Sequence, residues 1–311
     1  MDAIRTDGLT RTFGDVTAVD GLTICVAEGE LFGLVGPDGA GKTTTMRLLT
    51  GTLSPSGGTA WVTGHDVADD PEAIKEEIGY MSQRFGLYRD LTVIENLHFY
   101  ADIYGVPRRG RQDRIDRLLA FSNLTPFKRR QAGDLSGGMK QKLGLACALI
   151  HTPRVLFLDE PTCGVDPVSR RDFWRILQQL IHDKVTLFVA TAYLDEAERC
   201  HRVGLIDQGR LLACGTPEEV KRLMRGTIVE VRSSDARRTA AVLRSRLPAG
   251  SVALFGDRVH VALDERGAHE SQVAELLAAT AVDVIEVRRI EPLLEDVFVS
   301  VLAGQTREPG A

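Results

Sequence analysis

The chain has 311 residues, of which 43% are hydrophobic and 26% charged, with a formal net charge of −5. These values describe an ordinary globular protein of roughly two domains at ~150 residues each, and they give no general argument for nucleic-acid binding. No apolar run approaches the ~20 residues needed to cross a bilayer, Met1–Asp7 has no secretory apolar core, and the five cysteines are widely spaced without a C-x-x-C, so reduced cytosolic thiols and no cysteine metal site are expected.

Residues 3–35 alternate short β-rich runs with turns such as Gly14-Asp15 and Glu28-Gly29. Phe13 lies in this segment and, taken by itself, reads as a half-buried strand residue. Glu30–Val35 reads as a short buried strand, and Thr43–Thr50 as a helix stopped by Gly51 in the C′ position. Between them, Gly36-Pro37-Asp38-Gly39-Ala40-Gly41-Lys42-Thr43 fits the phosphate-loop pattern G-x-x-x-x-G-K-[ST] at every required position. The glycines let the backbone turn sharply and aim N–H groups at phosphate oxygens. Lys42 can reach the β- and γ-phosphates, and the Thr43 hydroxyl can ligate Mg²⁺. A strand feeding a helix N-terminus also offers the helix dipole to an anion. The stretch implies a bound nucleoside triphosphate.

Thr59–Gly64 reads as a strand, Glu72–Glu77 as a helix, and Ile78–Gln83 as a strand ending in a polar residue. From Phe85 to Leu135 the pattern is helical. Thr92 and Glu95 form a capping box, and Ile94, Leu97, Tyr100, Ala101 and Tyr104 follow helical spacing. Pro107-Arg108-Arg109-Gly110-Arg111 reads as a solvated basic loop, with contact to anionic lipid or a partner as the alternative, and Arg114–Phe121 as a second amphipathic helix. In Leu135-Ser136-Gly137-Gly138-Met139, Ser136 can cap the following helix and the glycines permit close backbone approach. Arg154–Glu160 reads as a buried strand that ends in two carboxylates, Asp159 and Glu160. That is the Walker-B arrangement, which sets an Asp beside Mg²⁺ at the carboxyl end of a parallel strand. Pro161–Pro167 reads as a turn, Val168–His182 as a long amphipathic helix, Val185–Thr191 as a buried strand and Leu205–Leu212 as a hairpin.

Thr216-Pro217-Glu218-Glu219 opens a helix with Thr as N-cap, Pro at N1 and Glu at N3. A boundary near Arg225-Gly226 is expected, giving domains at 1–224 and 225–304 and a disordered tail at 305–311. After the boundary the pattern runs strand (Thr227–Arg232), helix (Asp235–Leu247), hairpin (Val252–Leu263), helix (Glu270–Ala279) and strand (Val282–Arg288), with a last helix over Leu293–Leu302. This βαββαβ order suggests a small ferredoxin-like module.

Together these motifs resemble those of the ATP-binding cassette (ABC) ATPases over roughly residues 3–224, with five motifs in family order and spacing. The likeness is closest to the ATP-binding subunits of ABC-2 type exporters, the drug and antibiotic efflux class. Those chains often carry an accessory domain, whose usual ending Pro292-Leu293-Leu294-Glu295-Asp296-Val297-Phe298 resembles. The resemblance implies an α/β P-loop NTPase cassette with an antiparallel β subdomain and a helical subdomain at about 85–150, plus the small C-terminal α+β domain. It implies ATP and Mg²⁺ as cofactors, with Phe13 stacked on adenine and Gly36, Pro37, Asp38, Gly39, Ala40, Gly41, Lys42, Thr43 and Thr44 around the phosphates. Thr43, Gln83 and Asp159 would attend the metal, and Glu160 would be the general base. Lys42, Gln83 and Asp166 complete the implied catalytic set: Gln83 senses the attacking water and contacts the membrane subunit, and Asp166 couples two sites. Ser136, Gly137 and Gly138 match the signature motif that presses onto the γ-phosphate held by the opposite subunit. The implied partners are a separate integral membrane permease and a second cassette, either a copy of this chain or another ABC subunit. The implied location is the cytosolic face of the cell membrane, with no nucleic acid.

The sequence departs from the family at Ala192, where cassette ATPases place a histidine that orients the γ-phosphate and the water. A methyl group cannot donate a hydrogen bond, and losing one transition-state donor commonly costs ~10²–10³ in rate. Slow intrinsic hydrolysis is expected unless Tyr193 or a partner chain supplies the contact; pairing with a histidine-bearing cassette is the alternative. Asp38 and Met139 stand where Asn and Gln are usual, and Asp38 is expected to point away from the phosphates. Two rival readings are a slow regulatory nucleotide-binding module, against which intact Glu160 argues, and a cassette ATPase acting on DNA or the ribosome. Against the latter stand the missing heptads between Thr44 and Leu135 and the single phosphate loop.

Overall fold

The structure, a computed structural model, describes residues 1–83, 86–224, 226–248, 251–263, 270–278, 280 and 282–305, the last five as backbone only. Arg225, Ala279 and the expected tail from residue 306 lie outside the described residues. The chain divides into two compact units, Met1–Cys214 and Gly215–Ala311. The division thus precedes the Thr216-capped helix, whereas the sequence pattern placed it after that helix.

The first unit contains two sheets. In the antiparallel one, β1 (Asp2–Phe13) pairs with β2 (Val16–Leu22), β3 (Cys25–Ala27) and β5 (Gly57–Val62), and β6 (His65–Asp66) extends beyond β5. The other comprises β4 (Leu31–Val35), β7 (Ile78–Met81), β8 (Val155–Asp159), β9 (Thr186–Thr191), β10 (Arg202–Asp207) and β11 (Arg210–Gly215). Their order is β11-β10-β4-β9-β8-β7, and the pairs from β10 through β7 are parallel. Every residue of β4, β8 and β9 is buried, which is why these strands are continuous apolar runs without polar alternation. Parallel register aligns their ends: Val35 pairs with Thr191, and Asp159 with Ala190. Whatever follows these strands therefore leaves the sheet at one edge, where open α/β sheets bind ligands.

Helix α1 (Lys42–Leu49) follows β4, and α2 (Pro71–Glu77) precedes β7. Helices α3 (Val93–Ile103), α4 (Arg111–Phe121) and α5 (Gly137–Ala148) bury Leu97, Ala101, Ile115, Leu119, Leu143 and Ala146 in a shared core. The capping box at the start of α3 is complete: the Glu95 N–H donates to Thr92 Oγ1 (3.3 Å), and the Thr92 N–H to Glu95 Oε2 (2.7 Å). Arg111 is not part of the basic loop. It is the first residue of α4, and its guanidinium holds Asp102 (2.5 Å) and the Val106 carbonyl, so Arg108 and Arg109 remain as the exposed basic residues. Helices α6 (Pro167–His182) and α7 (Leu194–Ala197) flank β9. No helix among the described residues is long and apolar enough to cross a membrane.

The second unit opens with α8 (Pro217–Lys221), whose Thr216–Glu219 capping box is formed. It continues with β12 (Thr227–Ser233), α9 (Ala236–Arg246), β13 (Val252–Phe255), β14 (Arg258–Leu263), α10 (Glu270–Ala278), β15 (Val284–Ile290) and α11 (Leu294–Gln305). All pairs of its sheet are antiparallel, in the order β13-β14-β12-β15. That order, with α9 and α10 packed on a Val229, Val231, Leu243, Val259, Val261 and Val273 core, is the ferredoxin-like arrangement the βαββαβ pattern suggested.

A buried ionic cluster joins α11 to this sheet. His260, 3% exposed, places Nδ1 2.8 Å from Asp296 Oδ1 and Nε2 3.5 Å from Glu230 Oε2. Glu230 also pairs with Arg258 (3.0 Å) and Arg288 (2.8 Å), and the Phe255 ring lies 4.7 Å from the imidazole. Burial alone lowers the His260 pKa, but the bonds and charges of Asp296 and Glu230 outweigh it and raise the pKa above 6.5. A raised folded-state value means this stabilisation is complete below the unfolded value and is lost as pH rises through the folded one. Hydrogen–deuterium exchange in α11 of the full chain is therefore expected to quicken, beyond the intrinsic chemical rate, as pH is raised above 6.5. His260→Gln should flatten that excess; an unchanged pH dependence in the variant rules His260 out as its source.

Candidate nucleotide site

Strand β4 delivers the chain into the phosphate loop, where the Gly36 N–H donates to Thr191 O at 3.3 Å. Gly41 ends the loop in the left-handed region (φ 104°), and a Cβ there would sit 2.3 Å from Ala18 O. Only glycine fits, because both the backbone angle and the approach of β2 forbid a side chain. Lys42, the first residue of α1, is 4% exposed. Its Nζ donates to Gly36 O (2.8 Å) and Pro37 O (2.9 Å) and lies 3.2 Å from Glu160 Oε1.

The end of β8 forms the facing wall. The Thr43 hydroxyl donates to Asp159 Oδ1 at 3.1 Å. Burial raises the Asp159 pKa, against the opposing effect of the Thr43 bond and the nearby Lys42. Glu160 has a φ of 47°, rare for a residue with a side chain, and its N–H is fixed to Ala190 O at 2.8 Å. Such conformations persist only where the surroundings over-determine them, and they cluster at functional sites. The two Glu160 oxygens face different donors: Lys42 holds Oε1, and Gln83 Nε2 donates to Oε2 at 3.2 Å.

These groups open onto a cavity of about 550 Å³. Of the residues expected from sequence, Asp38, Gly39, Gly41, Lys42, Thr43, Thr44, Gln83 and Glu160 line it; Asp38, expected to point away from the phosphates, is exposed yet is one of the lining residues. Gly36, Pro37, Ala40 and Asp159 belong to the same loop and strand end without being lining residues. Phe13, Ser136, Gly137, Gly138 and Asp166 lie outside it. Phe13, 46% exposed, carries the Arg11 guanidinium 4.6 Å from its ring centroid. Ser136 and Gly137 are exposed at the start of α5, where Ser136 Oγ accepts the Met139 N–H (3.3 Å). Gly138 is buried against α6, and a Cβ there would meet Ser169 Cβ at 2.3 Å. Asp166 caps α6, accepting the Ser169 (2.9 Å) and Val168 (3.1 Å) N–H groups, and these bonds hold its carboxyl below the usual range. The cavity also includes Ala18, Cys163, Ala192 and Tyr193. Ala18 and Cys163 had no marker in the sequence pattern: Ala18 enters through its contact with Gly41, and Cys163 through the turn after Glu160.

Behind Ala192 lies a buried junction. Glu196 is 0% exposed and accepts from Arg170 Nε (2.6 Å), Thr191 Oγ1 (2.8 Å) and the Thr162 hydroxyl. Arg170 also holds Asp195 (2.8 Å), and the Tyr193 N–H donates to Thr191 Oγ1 (3.0 Å). One carboxylate thus ties together the exits of β8 and β9 and the first turn of α6.

Comparison with known proteins gives the same picture. The ABC transporter family model matches residues 19–163, and the model for the C-terminal domain of DrrA1-3-like ATP-binding proteins matches residues 215–302. The chain is 42% identical over 308 residues to the probable multidrug ABC transporter ATP-binding protein YbhF of Escherichia coli (strain K12). That match covers 97% of this chain and 53% of YbhF, so the chain spans about half the length of this relative. It is 34% identical over 314 residues to the daunorubicin resistance ATP-binding protein DrrA2 of Streptomyces coeruleorubidus, covering 99% of this chain and 98% of DrrA2. A solved ATP-binding subunit of an ABC transporter superposes with a TM-score of 0.65 at 28% identity, over 71% of this chain and 92% of that one. A likeness to DrrA2 that runs almost end to end, accessory domain included, places the chain in the family of ABC transporter ATP-binding proteins.

Proposed function

We propose that this chain binds and hydrolyses ATP to energise a separate membrane permease of an ABC-2 type exporter, at the cytosolic face of the cell membrane. The observation that carries the reading is the Glu160 carboxylate, set at the end of β8 with Lys42 on one oxygen and Gln83 on the other. When a triphosphate enters, its oxygens compete with Glu160 for Lys42, as the stronger, multiply charged acceptor. Glu160, released on that side, takes the proton of a water attacking the γ-phosphorus, and ADP leaves. Gln83 keeps hold of the other oxygen and so orients the base. Thr43, Asp159 and Gln83 offer the oxygen ligands a hard divalent cation takes, which fits Mg²⁺. Bound there, Mg²⁺ would neutralise charge on the β- and γ-phosphates.

Five of the expected site residues, Phe13, Ser136, Gly137, Gly138 and Asp166, lie outside this chain's own cavity. Exposed Ser136 and Gly137, with Asp166 capping α6, the helix whose first turn packs on Gly138, suit a second cassette closing head to tail, so that each subunit finishes its partner's pocket. That second cassette is a copy of this chain or a different ABC subunit. ATP-driven closure then acts on the permease as a conformational switch.

Phosphate release by the purified full chain with MgATP tests the reading, and Lys42→Ala is expected to abolish it. A wild-type chain that fails to bind nucleotide counts against it. Ala192→His is expected to raise the rate by roughly 10²-fold, the worth of one restored transition-state donor. No gain would remove Ala192 as the limiting position.

A further inference from the structure

Ala192 leaves the wall after β9 without a donor, yet the next residue along that wall is held with unusual firmness. Tyr193 lines the cavity together with Lys42, Gln83 and Glu160 while 39% of its surface stays exposed. Its ring is only partly covered, and two further restraints hold it. The Arg170 guanidinium lies 4.3 Å from the ring centroid, and that guanidinium is itself fixed by Glu196 and Asp195. The Tyr193 N–H is fixed to Thr191 Oγ1, which donates to the same Glu196. Ring and backbone are thus referenced to one buried carboxylate, so the phenol is positioned before any ligand arrives, and little ordering is needed on binding.

We infer that the Tyr193 hydroxyl donates a hydrogen bond to the terminal phosphate of the bound triphosphate, a ground-state binding contact separate from the transition-state donor that Ala192 cannot offer. This assignment rests on the ATPase reading above. Burial first, then the neighbouring Cys163, Glu196 and Glu160 against the opposing pull of Arg170, keeps the phenol pKa above its ordinary value, so the hydroxyl remains a donor at neutral pH. No bond is made or broken at Tyr193. Its role is to position, and to distinguish a triphosphate from a diphosphate, because only the former carries the oxygen it would meet.

Tyr193→Phe separates the hydroxyl from the ring, because phenylalanine keeps the stack on Arg170. In the full-length variant, affinity for a non-hydrolysable ATP analogue is expected to fall about tenfold, the worth of one hydrogen bond to a charged group. Affinity for ADP and the melting temperature should stay at wild-type values. Arg170→Lys keeps the charge but loses the planar stack, and should shift the same analogue-to-ADP ratio by a smaller factor. An unchanged ratio in Tyr193→Phe overturns the assignment and leaves the ATPase reading standing. Equal losses for analogue and ADP, or a lowered melting temperature, mark the hydroxyl as structural and also overturn it. A wild-type chain that binds neither nucleotide overturns both.

Discussion

Glu160→Gln is expected to cut ATP turnover by about 10²–10⁴-fold, the usual worth of a positioned general base, and to leave an ATP-bound dimer resolvable by size-exclusion chromatography. The two halves of this result have separate causes. Turnover falls because an amide cannot take a proton from water. The dimer persists because the amide preserves shape, the bond from Gln83 can still be accepted by the amide oxygen, and the backbone anchor to Ala190 does not involve the side chain. Loss of the negative charge also removes the competitor for Lys42 on Oε1, so nucleotide affinity should not decrease. The φ of 47° is not disturbed by exchanging one unbranched side chain for another of the same length. A variant that turns over ATP at the wild-type rate would displace Glu160 as the base. One that is inactive but stays monomeric with ATP would keep Glu160 and count against closure as the coupling step.

Much of the fold was legible because its signals are local. Fully buried β4, β8 and β9 appear as unbroken apolar runs, and Thr92, Ser136 and Thr216 announce their helices through caps made within three residues. The phosphate loop is readable for the same reason, since its glycines and lysine are contiguous. What escaped the sequence is non-local. Glu196 sits in Leu194-Asp195-Glu196-Ala197, where an acid in the first turn of a short helix reads as solvated, yet its partners Thr162 and Arg170 lie 34 and 26 residues away. The same holds for His260, whose two carboxylates come from β12 and α11. The basic run at Pro107–Arg111 was over-read as one loop because composition does not show that Arg111 turns back onto Asp102. The compact units divide ahead of α8 for a related reason: the strongest punctuation in the sequence, at Arg225-Gly226, follows α8, while α8 packs with α11, far along the chain.

Glu196→Ala is expected to lower stability by on the order of 3 kcal/mol, the scale for breaking a buried, charge-assisted network from one side. For a unit the size of Met1–Cys214 that corresponds to a fall in melting temperature of roughly 6–12 °C. The cost comes from the donors left behind. Arg170 Nε, the Thr191 hydroxyl and the Thr162 hydroxyl all point at the vacated carboxylate, and Thr162 and Thr191 are themselves buried, with 2% and 1% exposure. Arg170 keeps Asp195 and some solvent, which holds the penalty below that of a fully interior ion pair. Glu196→Gln preserves the volume and one acceptor oxygen, so it should cost less while setting an amide N–H₂ against a donor. Thermal melting of the three proteins orders them as wild type, Gln, then Ala. An Ala variant melting within about a degree of wild type would mean that the junction is not under load. Function adds a second reading below the melting range. With the junction gone, Arg170 under the Tyr193 ring is held by Asp195 alone and the Thr191 hydroxyl that accepts the Tyr193 N–H loses its own anchor, so triphosphate affinity should fall while ADP affinity is expected to be retained. Stability and triphosphate selectivity would then trace to the same carboxylate.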